Sequence, residues 1–196
     1  MVERFLEEYR DVLPALSAEQ VAALEAHLEL LERWNRTINL TAIRINDAIS
    51  KHVGESLFLA AHLPEGALGV CDLGSGGGFP GIPVAIARPD CDVALVESDV
   101  RKGVFLREAA RKLRNVTVVT ERFEEMEGEF DWLIARAVNL SKTVGGPKCG
   151  RAAFLGSLEG IGSRNTKRSV VAGFRWRTVP VPWEPSGVLS LGECFT

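Results

Sequence analysis

The sequence predicts an α/β protein with a mostly parallel sheet, helices on both faces and an N-terminal helical cap. Short apolar runs of strand length alternate with helical patterns from residue 68 onward, and the first run ends in a cluster of glycines. Residues 1–63 show only helical periodicity. We therefore expect a single domain, 1–196, with a helical cap at 1–63 and a sheet-containing core at 64–196.

Two helices are expected in the cap. Ser17 and Gln20 have the form of a capping box, and the leucines that follow recur every three or four residues, so a helix should run from Ser17 to near Trp34. Asn46 is expected to cap a second helix, although Gly54 inside it costs about 1 kcal/mol of helix stability. The buried stripe of this helix is expected to consist of Ile49, Val53, Leu57 and Ala61.

The core should alternate strands and helices, as a parallel sheet requires. The pattern predicts a strand at 68–73, a helix opened by Pro80, a strand at 92–97, a helix from Asp99 to Arg114, and strands at 116–119 and 130–135. After residue 140 the pattern weakens, and sheet-completing strands are expected within 151–155, 170–181 and 188–191. Ligands of such sheets bind at the carboxyl ends of the strands.

Composition is that of an ordinary globular protein. Of the 196 residues 46% are hydrophobic and 25% charged, and the net charge is −3, which excludes collagen-like, coiled-coil and disordered chains. No apolar stretch approaches the roughly 18 residues of a membrane span, and acids near Met1 leave no apolar signal-peptide core. We therefore expect a cytoplasmic protein without a membrane segment. The sequence does not determine the oligomeric state, and a monomer is the default expectation.

The cysteines are too far apart for a zinc knuckle or a redox pair. They lie 20, 58 and 45 positions from one another in chain order, at Cys71, Cys91, Cys149 and Cys194. We expect buried thiols and no metal site. A cysteine nucleophile of the cytosine-methylating type would fall only at Cys149, and we do not favour it.

The segment after the first strand reads DLGSGGGFPG at 72–81. Glycines at this density let the backbone turn tightly and present bare N–H groups to a ligand. Gly76, Gly78 and Gly81 have dinucleotide spacing, whereas an acid followed by Gly74, Gly76 and Gly78 is the pattern of S-adenosylmethionine-dependent methyltransferases. Glu97, at the end of the second strand, suits the ribose of a nucleoside in either case. A nicotinamide-dependent oxidoreductase therefore stays open on the loop alone.

Five motifs together resemble one known family. They read WNRTINLTAI at 34–43, KH at 51–52, GSGGGFPGIP at 74–83, RKGVFLR at 101–107 and ARAV at 135–138. The combination resembles the GidB/RsmG family, which methylates N7 of a guanosine in the 530 loop of bacterial 16S ribosomal RNA. The resemblance implies a Rossmann-like class I S-adenosylmethionine-dependent methyltransferase fold, with S-adenosyl-L-methionine as cofactor and 16S ribosomal RNA or the small ribosomal subunit as partner.

The resemblance also implies the cofactor site. Gly74 and Phe79 would contact S-adenosylmethionine, Glu97 would hold its ribose, and Phe123 and Glu124 would flank its adenine. Together with the pattern of the glycine loop, this gives the full set of expected cofactor-binding residues, which is Asp72, Gly74, Gly76, Gly78, Phe79, Glu97, Ser98, Phe123, Glu124 and Arg136.

Catalysis at guanine N7 asks little of the protein, because this nitrogen carries no proton at neutral pH and has a free lone pair. The enzyme must align the two reactants. Arg136 is expected to contact guanine O6 or a phosphate, and His52 to position the RNA or close the cap. The family has Asp where Glu55 stands and Lys-Gly where 155–156 reads Leu-Gly. A catalytically inactive RNA-binding relative is therefore a third hypothesis.

Overall fold

The computed structural model describes residues 1–137, 146–156 and 174–194. The strands of this described part are β1 Gly69–Leu73, β2 Asp92–Val96, β3 Val116–Val119, β4 Glu129–Arg136, β5 Lys148–Leu155, β6 Phe174–Pro180 and β7 Val188–Cys194. They form a seven-stranded sheet in the order β3-β2-β1-β4-β5-β7-β6. The first five are parallel, and β7 runs antiparallel to both β5 and β6. The predicted mostly parallel sheet is confirmed.

The helices of the described part precede the sheet or connect its parallel strands. They are α1 Val2–Glu8, α2 Ala18–Asn35, α3 Ile45–Ala48, a π-helical turn Ile49–Gly54, α4 Glu55–Ala61, α5 Gly81–Ala87, α6 Val100–Ala109 and a 3-10 turn Phe123–Glu125. Periodicity did not predict α1, which is only seven residues long. The capping box at the start of α2 is confirmed, because Ser17 Oγ accepts from the Gln20 N–H at 3.2 Å and Gln20 Oε1 accepts from the Ser17 N–H at 2.9 Å.

Side chains alternate between two apolar clusters, one on each face of the sheet. In β4, Trp132 and Ile134 join the larger cluster, whereas Leu133 and Ala135 join the smaller one. The described α-helices all contribute to the larger cluster. On the other face, the described contact from outside the strands is the segment around Phe123. Helices on both faces are therefore confirmed for one face and stay a prediction for the other.

The second cap helix differs from the prediction. It begins at Ile45 after Arg44, so Asn46 lies inside the helix and is not its cap. Of the expected stripe, Val53 and Leu57 are fully buried, Ile49 is half-buried and Ala61 is exposed. A Cβ on Gly54 would lie 2.7 Å from the ring of Phe5 and 3.1 Å from that of Trp183. The absence of a side chain at Gly54 therefore lets α1 and the turn before β7 pack closely against this helix.

Two further expectations need correction. Asp99 does cap α6, with Oδ1 accepting from the N–H groups of Arg101 and Lys102, but the helix ends at Ala109 rather than at Arg114. Of the cysteines, two are buried and Cys149 is half-buried, whereas Cys194 is exposed on the terminal strand, so the expectation of four buried thiols is wrong there.

No helix of the described residues has the length and apolar character needed to cross a bilayer. In the same part of the chain, no three His, Cys, Asp or Glu residues are grouped as metal ligands would be. The glycine loop lies at the carboxyl edge of the parallel strands, where such sheets bind their ligands.

Candidate functional site

The carboxyl ends of the central strands lie side by side. In register, Leu73 of β1 is paired with Val96 of β2 and with Ala135 of β4. The residues that follow these strands therefore emerge at one edge of the sheet. The structure thus brings the glycine loop, Glu97 and Arg136 to the same edge, as the sequence predicts.

The glycine loop has a backbone that side chains disfavour. Gly74, Gly76 and Gly78 have φ angles of 68°, 50° and 85°, in the left-handed region that glycine adopts readily. The N–H groups of Gly74 and Ser75 both donate to the carbonyl of Val96, at 2.9 and 3.0 Å. The loop is therefore held against the end of β2.

The glycines of the loop serve different purposes. A Cβ on Gly76 would meet just one described atom within 4 Å, the Gly74 carbonyl oxygen at 3.7 Å, so this position is open to a ligand. A Cβ on Gly78 would lie 2.5 Å from Ile82, and one on Gly81 would overlap Leu95. Gly81 thus allows α5 to pack on the sheet, whereas Gly78 allows the loop to pack against Ile82 of α5 and His27 of α2. Such packing suits both the dinucleotide and the methyltransferase frame.

Glu97 is locked into the loop that it follows. It is 8% exposed, its Oε2 accepts from the Gly76 N–H at 3.0 Å, and its Oε1 accepts from the Asp99 N–H at 2.9 Å. Each carboxylate oxygen has a second lone pair for a further donor. Glu97 is therefore a pre-oriented acceptor, and Ser98 beside it is exposed. Their contacts with a cofactor stay predictions.

Asp72 lies beneath the loop with no exposed surface. Its Oδ2 accepts from the Gly81 N–H at 3.1 Å, while Oδ1 has no hydrogen-bond partner among the described residues. Burial raises the pKa of this carboxyl to about 7, against the opposing effect of hydrogen bonds from Ser75 and Gly81. Asp72 thus holds the start of α5 and keeps one acceptor unused next to the predicted cofactor site.

Phe79 is enclosed by two imidazole rings. Its side chain is 6% exposed, and its ring stacks on His27 at 4.7 Å and on His52 at 4.4 Å between centroids. His27 Nε2 donates to the Gly77 carbonyl at 2.9 Å, and burial lowers the pKa of His27 to about 4. The predicted contact of Phe79 with the cofactor stays a prediction, because the ring lies inside the protein.

His52 is neutral and both of its ring nitrogens are engaged. Arg136 Nη1 lies 2.9 Å from His52 Nδ1, and because a guanidinium can only donate, Nδ1 is the acceptor and the ring proton is on Nε2. His52 Nε2 then donates to Thr41 Oγ1 at 2.8 Å. Burial lowers the pKa of His52 to about 3, and the charges of Arg136 and His27 act in the same direction. His52 therefore holds Arg136 rather than exchanging protons.

A carboxylate completes the support of Arg136. Arg136 Nε donates to Glu55 Oε2 at 3.1 Å, and the side chains of Arg136 and Glu55 are only 17% and 12% exposed. Burial raises the pKa of Glu55, while the charge of Arg136 opposes the rise. Glu55, which is one methylene longer than the aspartate expected from the family, thus reaches Arg136. Ala137, directly after it, has a φ of 54°, a strained value for a residue with a side chain.

Phe123 and Glu124 follow β3 at the same edge of the sheet. Phe123 is 5% exposed and belongs to the smaller apolar cluster, whereas Glu124 is exposed. A Cβ on Gly146, whose φ is 98°, would overlap the Phe123 ring. The backbone at Gly146 therefore covers this phenylalanine. That these two residues flank an adenine stays a prediction.

Three supporting residues were not selected from the sequence. His27 lies on the leucine stripe of α2, and its stacking partner comes from the glycine loop. Asn35 Oδ1 accepts from the Leu40 and Thr41 N–H groups at 2.8 and 3.0 Å, which fixes the loop that carries Thr41. Asn35 and Thr41 both lie in the motif at 34–43. The partners of Asn35 belong to the same motif, whereas His52, the partner of Thr41, comes from the next part of the cap.

Comparisons with known proteins agree with this geometry. Residues 20–145 match the GidB family, described as rRNA small subunit methyltransferase G. The fold is similar to that of Aeropyrum pernix fibrillarin in complex with natively bound S-adenosyl-L-methionine, with a TM-score of 0.51, 16% identity, and coverage of 71% of this chain and 73% of that one. The predicted class I methyltransferase fold is confirmed, and the nicotinamide hypothesis gains no support.

Two relatives carry the name ribosomal RNA small subunit methyltransferase G. The protein of Chromobacterium violaceum is 48% identical over 127 residues, which is 62% of this chain, and the chain spans 60% of its length. The protein of Xanthomonas campestris pv. campestris is 38% identical over 169 residues, covering 82% of this chain and 79% of the relative. Because residues 20–145, which contain the site, match the family, this chain belongs to the GidB family of rRNA small subunit methyltransferases.

Proposed function

We propose that the protein transfers the methyl group of S-adenosylmethionine to guanine N7 in 16S ribosomal RNA. The observation that carries the proposal is the glycine loop, open at Gly76 and tied to Glu97, at the carboxyl edge of a GidB-family sheet. The names of the relatives support a small-subunit rRNA as substrate. The guanosine of the 530 loop follows from the family resemblance, and the cytoplasm is where such a substrate is found.

The residues present fit the cofactor. A Cβ would fill the space above Gly76, so bare backbone is needed there, and Glu97 offers its free lone pairs to a diol. The unpartnered Asp72 Oδ1 suits an ammonium group. The bound cofactor supplies an electrophilic methyl group on a sulfonium. Fibrillarin, whose fold is similar, holds this molecule in its structure.

The rest of the chemistry falls to positioning. Guanine N7 needs no base, and His52 does not act as one, since it is neutral and bonded through both nitrogens. Arg136 is held by His52 and Glu55 and can direct its remaining donors to guanine O6. Alignment of the reactants by fixed groups accounts for several kcal/mol of barrier lowering in such reactions.

The decisive experiment measures transfer of labelled methyl from S-adenosylmethionine to small ribosomal subunits that lack this modification. We expect label recovered as 7-methylguanosine, with its position mapped by mass spectrometry. Naked 16S RNA tested in parallel would identify the preferred substrate. Subunits methylated by the Xanthomonas relative provide the positive control.

Failure has two distinguishable forms. No label together with calorimetric binding of S-adenosylhomocysteine would identify an inactive RNA-binding relative. No binding of S-adenosylhomocysteine would contradict the cofactor assignment itself. Sedimentation of the purified protein would in the same preparation test the expected monomer.

A further inference from the structure

A cleft of about 420 Å³ opens beside Arg136. Its walls come from the cap, from the ends of β4 and β5, and from the turn that precedes β7. The residues that line it include Lys51, Glu55, Arg136, Leu155, Glu184 and Ser186. Its volume is within the range of about 300–1,000 Å³ that is typical of ligand pockets.

The charges that line the cleft are balanced. Lys51 and Arg136 contribute two positive charges, and Glu55 and Glu184 contribute two negative ones, among the described residues. A phosphate would be repelled by the carboxylates, so the cleft suits a neutral group that has both donors and acceptors. Leu155 and neighbouring apolar residues suit the faces of a flat ring. A nucleobase has these properties.

Glu184 has unused acceptor capacity. Its Oε1 accepts from Ser186 Oγ at 3.1 Å, while its Oε2 lies 3.7 Å from Lys51 Nζ, which is beyond hydrogen-bond distance. The turn that carries it is anchored, because Trp183 Nε1 donates to the Ser50 carbonyl at 3.2 Å and the Gly187 N–H donates to the Glu184 carbonyl at 2.8 Å. The carboxylate is therefore pre-positioned at the cleft.

The strand order sets the direction in which a base would lie. Along the edge of the sheet the glycine loop follows β1, Arg136 ends the adjacent β4, and Glu184 precedes β7 two strands further on. In guanine, N7 and O6 are neighbouring acceptors, and N1–H and the N2 amine are donors on the next edge. A guanine with N7 toward the loop has O6 near Arg136 and its donors toward Glu184.

We propose that Glu184 accepts the N1–H and N2–H donors of the target guanine and thereby determines base specificity, with this cleft as the guanine pocket. The inference rests on the proposed function and deepens it. Adenine also has an unprotonated N7, so selectivity must come from another edge of the base. A carboxylate matches two parallel donors of guanine, whereas adenine presents an unprotonated N1 that it repels. Glu55 is a positioning residue, because it acts through Arg136.

The test pairs the variant Glu184→Gln with a change in the RNA. Subunit RNA is prepared by ligation with guanosine or inosine at the position that the wild type methylates, since inosine lacks only the N2 amine. We expect inosine to lower the kcat/KM of the wild type by about 10- to 100-fold, the effect of losing a hydrogen bond to a charged group. Glu184→Gln should lower the value for guanosine to a similar extent and lower that for inosine much less, because the glutamine carbonyl oxygen still accepts from N1–H.

Glu193→Gln is the matched control, because Glu193 is an exposed glutamate of the adjoining strand β7 that lies 4.0 Å from Arg151 and does not line the cleft. It should keep the full preference for guanosine. Equal losses on both RNAs with Glu184→Gln would show a merely structural role and overturn the proposal, as would an unchanged preference. Unaltered thermal unfolding and S-adenosylhomocysteine affinity would show that the variant folds.

Equilibrium binding keeps this test separate from that of the proposed function. The affinities of the two RNAs are compared in the presence of S-adenosylhomocysteine, where no methyl is transferred. The wild type should bind guanosine RNA about tenfold or more tightly than inosine RNA, and Glu184→Gln should bind them equally. Methyl transfer without this difference contradicts only the inference, whereas the difference without transfer contradicts only the proposed activity.

Discussion

At the scale of single residues, Gly76 is the position where backbone conformation and ligand access coincide. Its φ of 50° costs a residue with a side chain about 1–2 kcal/mol, and the space that a Cβ would take is open. Gly66 has a φ of 98° and no described atom within 4 Å of a Cβ, but it lies in the turn before β1, away from the site. A side chain would strain the backbone at both glycines, but only at Gly76 would it also meet a ligand. A comparison of the two positions therefore separates these effects.

Gly76→Ala should lower the affinity for S-adenosylhomocysteine by about tenfold or more, because the methyl group occupies space that the ligand needs. Gly66→Ala should lower the free energy of unfolding by about 1–2 kcal/mol, as the same backbone strain predicts, and leave the affinity for S-adenosylhomocysteine unchanged. Isothermal calorimetry and urea unfolding of both variants make the comparison. Equal affinity in the two variants would remove Gly76 from the cofactor site.

The buried imidazole of His27 links stability to pH. Its pKa is about 4 in the folded protein and about 6.5 when unfolded, so the unfolded state takes up the proton first as pH falls. Its contribution is therefore fully present above about pH 6.5 and is lost as pH falls toward 4. Between about pH 7 and pH 5, the wild type should lose about 2 kcal/mol more unfolding free energy than His27→Gln. Urea titrations at the two pH values measure this difference, and parallel curves would contradict a buried neutral His27.

At the scale of elements, the sequence predicted what local interactions determine. Ser17 and Asp99 cap their helices through N–H groups two or three residues away, so the sequence alone contains both partners. Asn46 has the chemistry of a cap, yet the helix begins one residue before it. The support of Arg136 joins residues 81 and 84 positions apart. Such pairs form only when the cap and the sheet are assembled, which periodicity does not describe.

Gly54 shows how tertiary packing reverses a local preference. Helix propensity alone predicts that Gly54→Ala stabilises the protein by about 1 kcal/mol. Because the new Cβ would lie 2.7 Å from the Phe5 ring, we expect instead a net loss of about 1–2 kcal/mol and faster amide hydrogen exchange in α1. In a Phe5→Ala background the same substitution should become neutral or stabilising. A gain in stability in the wild-type background would show that α1 does not pack there.

At the scale of the whole molecule, one turn near the end of the chain joins the cap to the sheet. Trp183 packs against Phe5, Tyr9 and Phe58, with ring centroids 5.2, 4.7 and 5.8 Å away. The next residue, Glu184, lines the cleft beside Arg136. The glycine loop instead joins β1 to α5 and is held by the end of β2 and by His27 of α2. Cofactor binding and substrate binding should therefore depend on different parts of the fold.

The variant Trp183→Leu should separate substrate binding from cofactor binding. It should lower stability by about 2 kcal/mol through lost packing of a half-buried ring, and keep S-adenosylhomocysteine affinity within about twofold. RNA methylation should fall by about tenfold or more in kcat/KM, because the wall that carries Glu184 is no longer anchored. Trp176→Leu, in the cluster with Phe154 and Phe174, removes an equal side chain from the other face and should cost similar stability without that loss. If Trp183→Leu and Trp176→Leu lose methylation equally, stability alone governs turnover. If Trp183→Leu also lowers the affinity for S-adenosylhomocysteine, the cap and the glycine loop act as one unit.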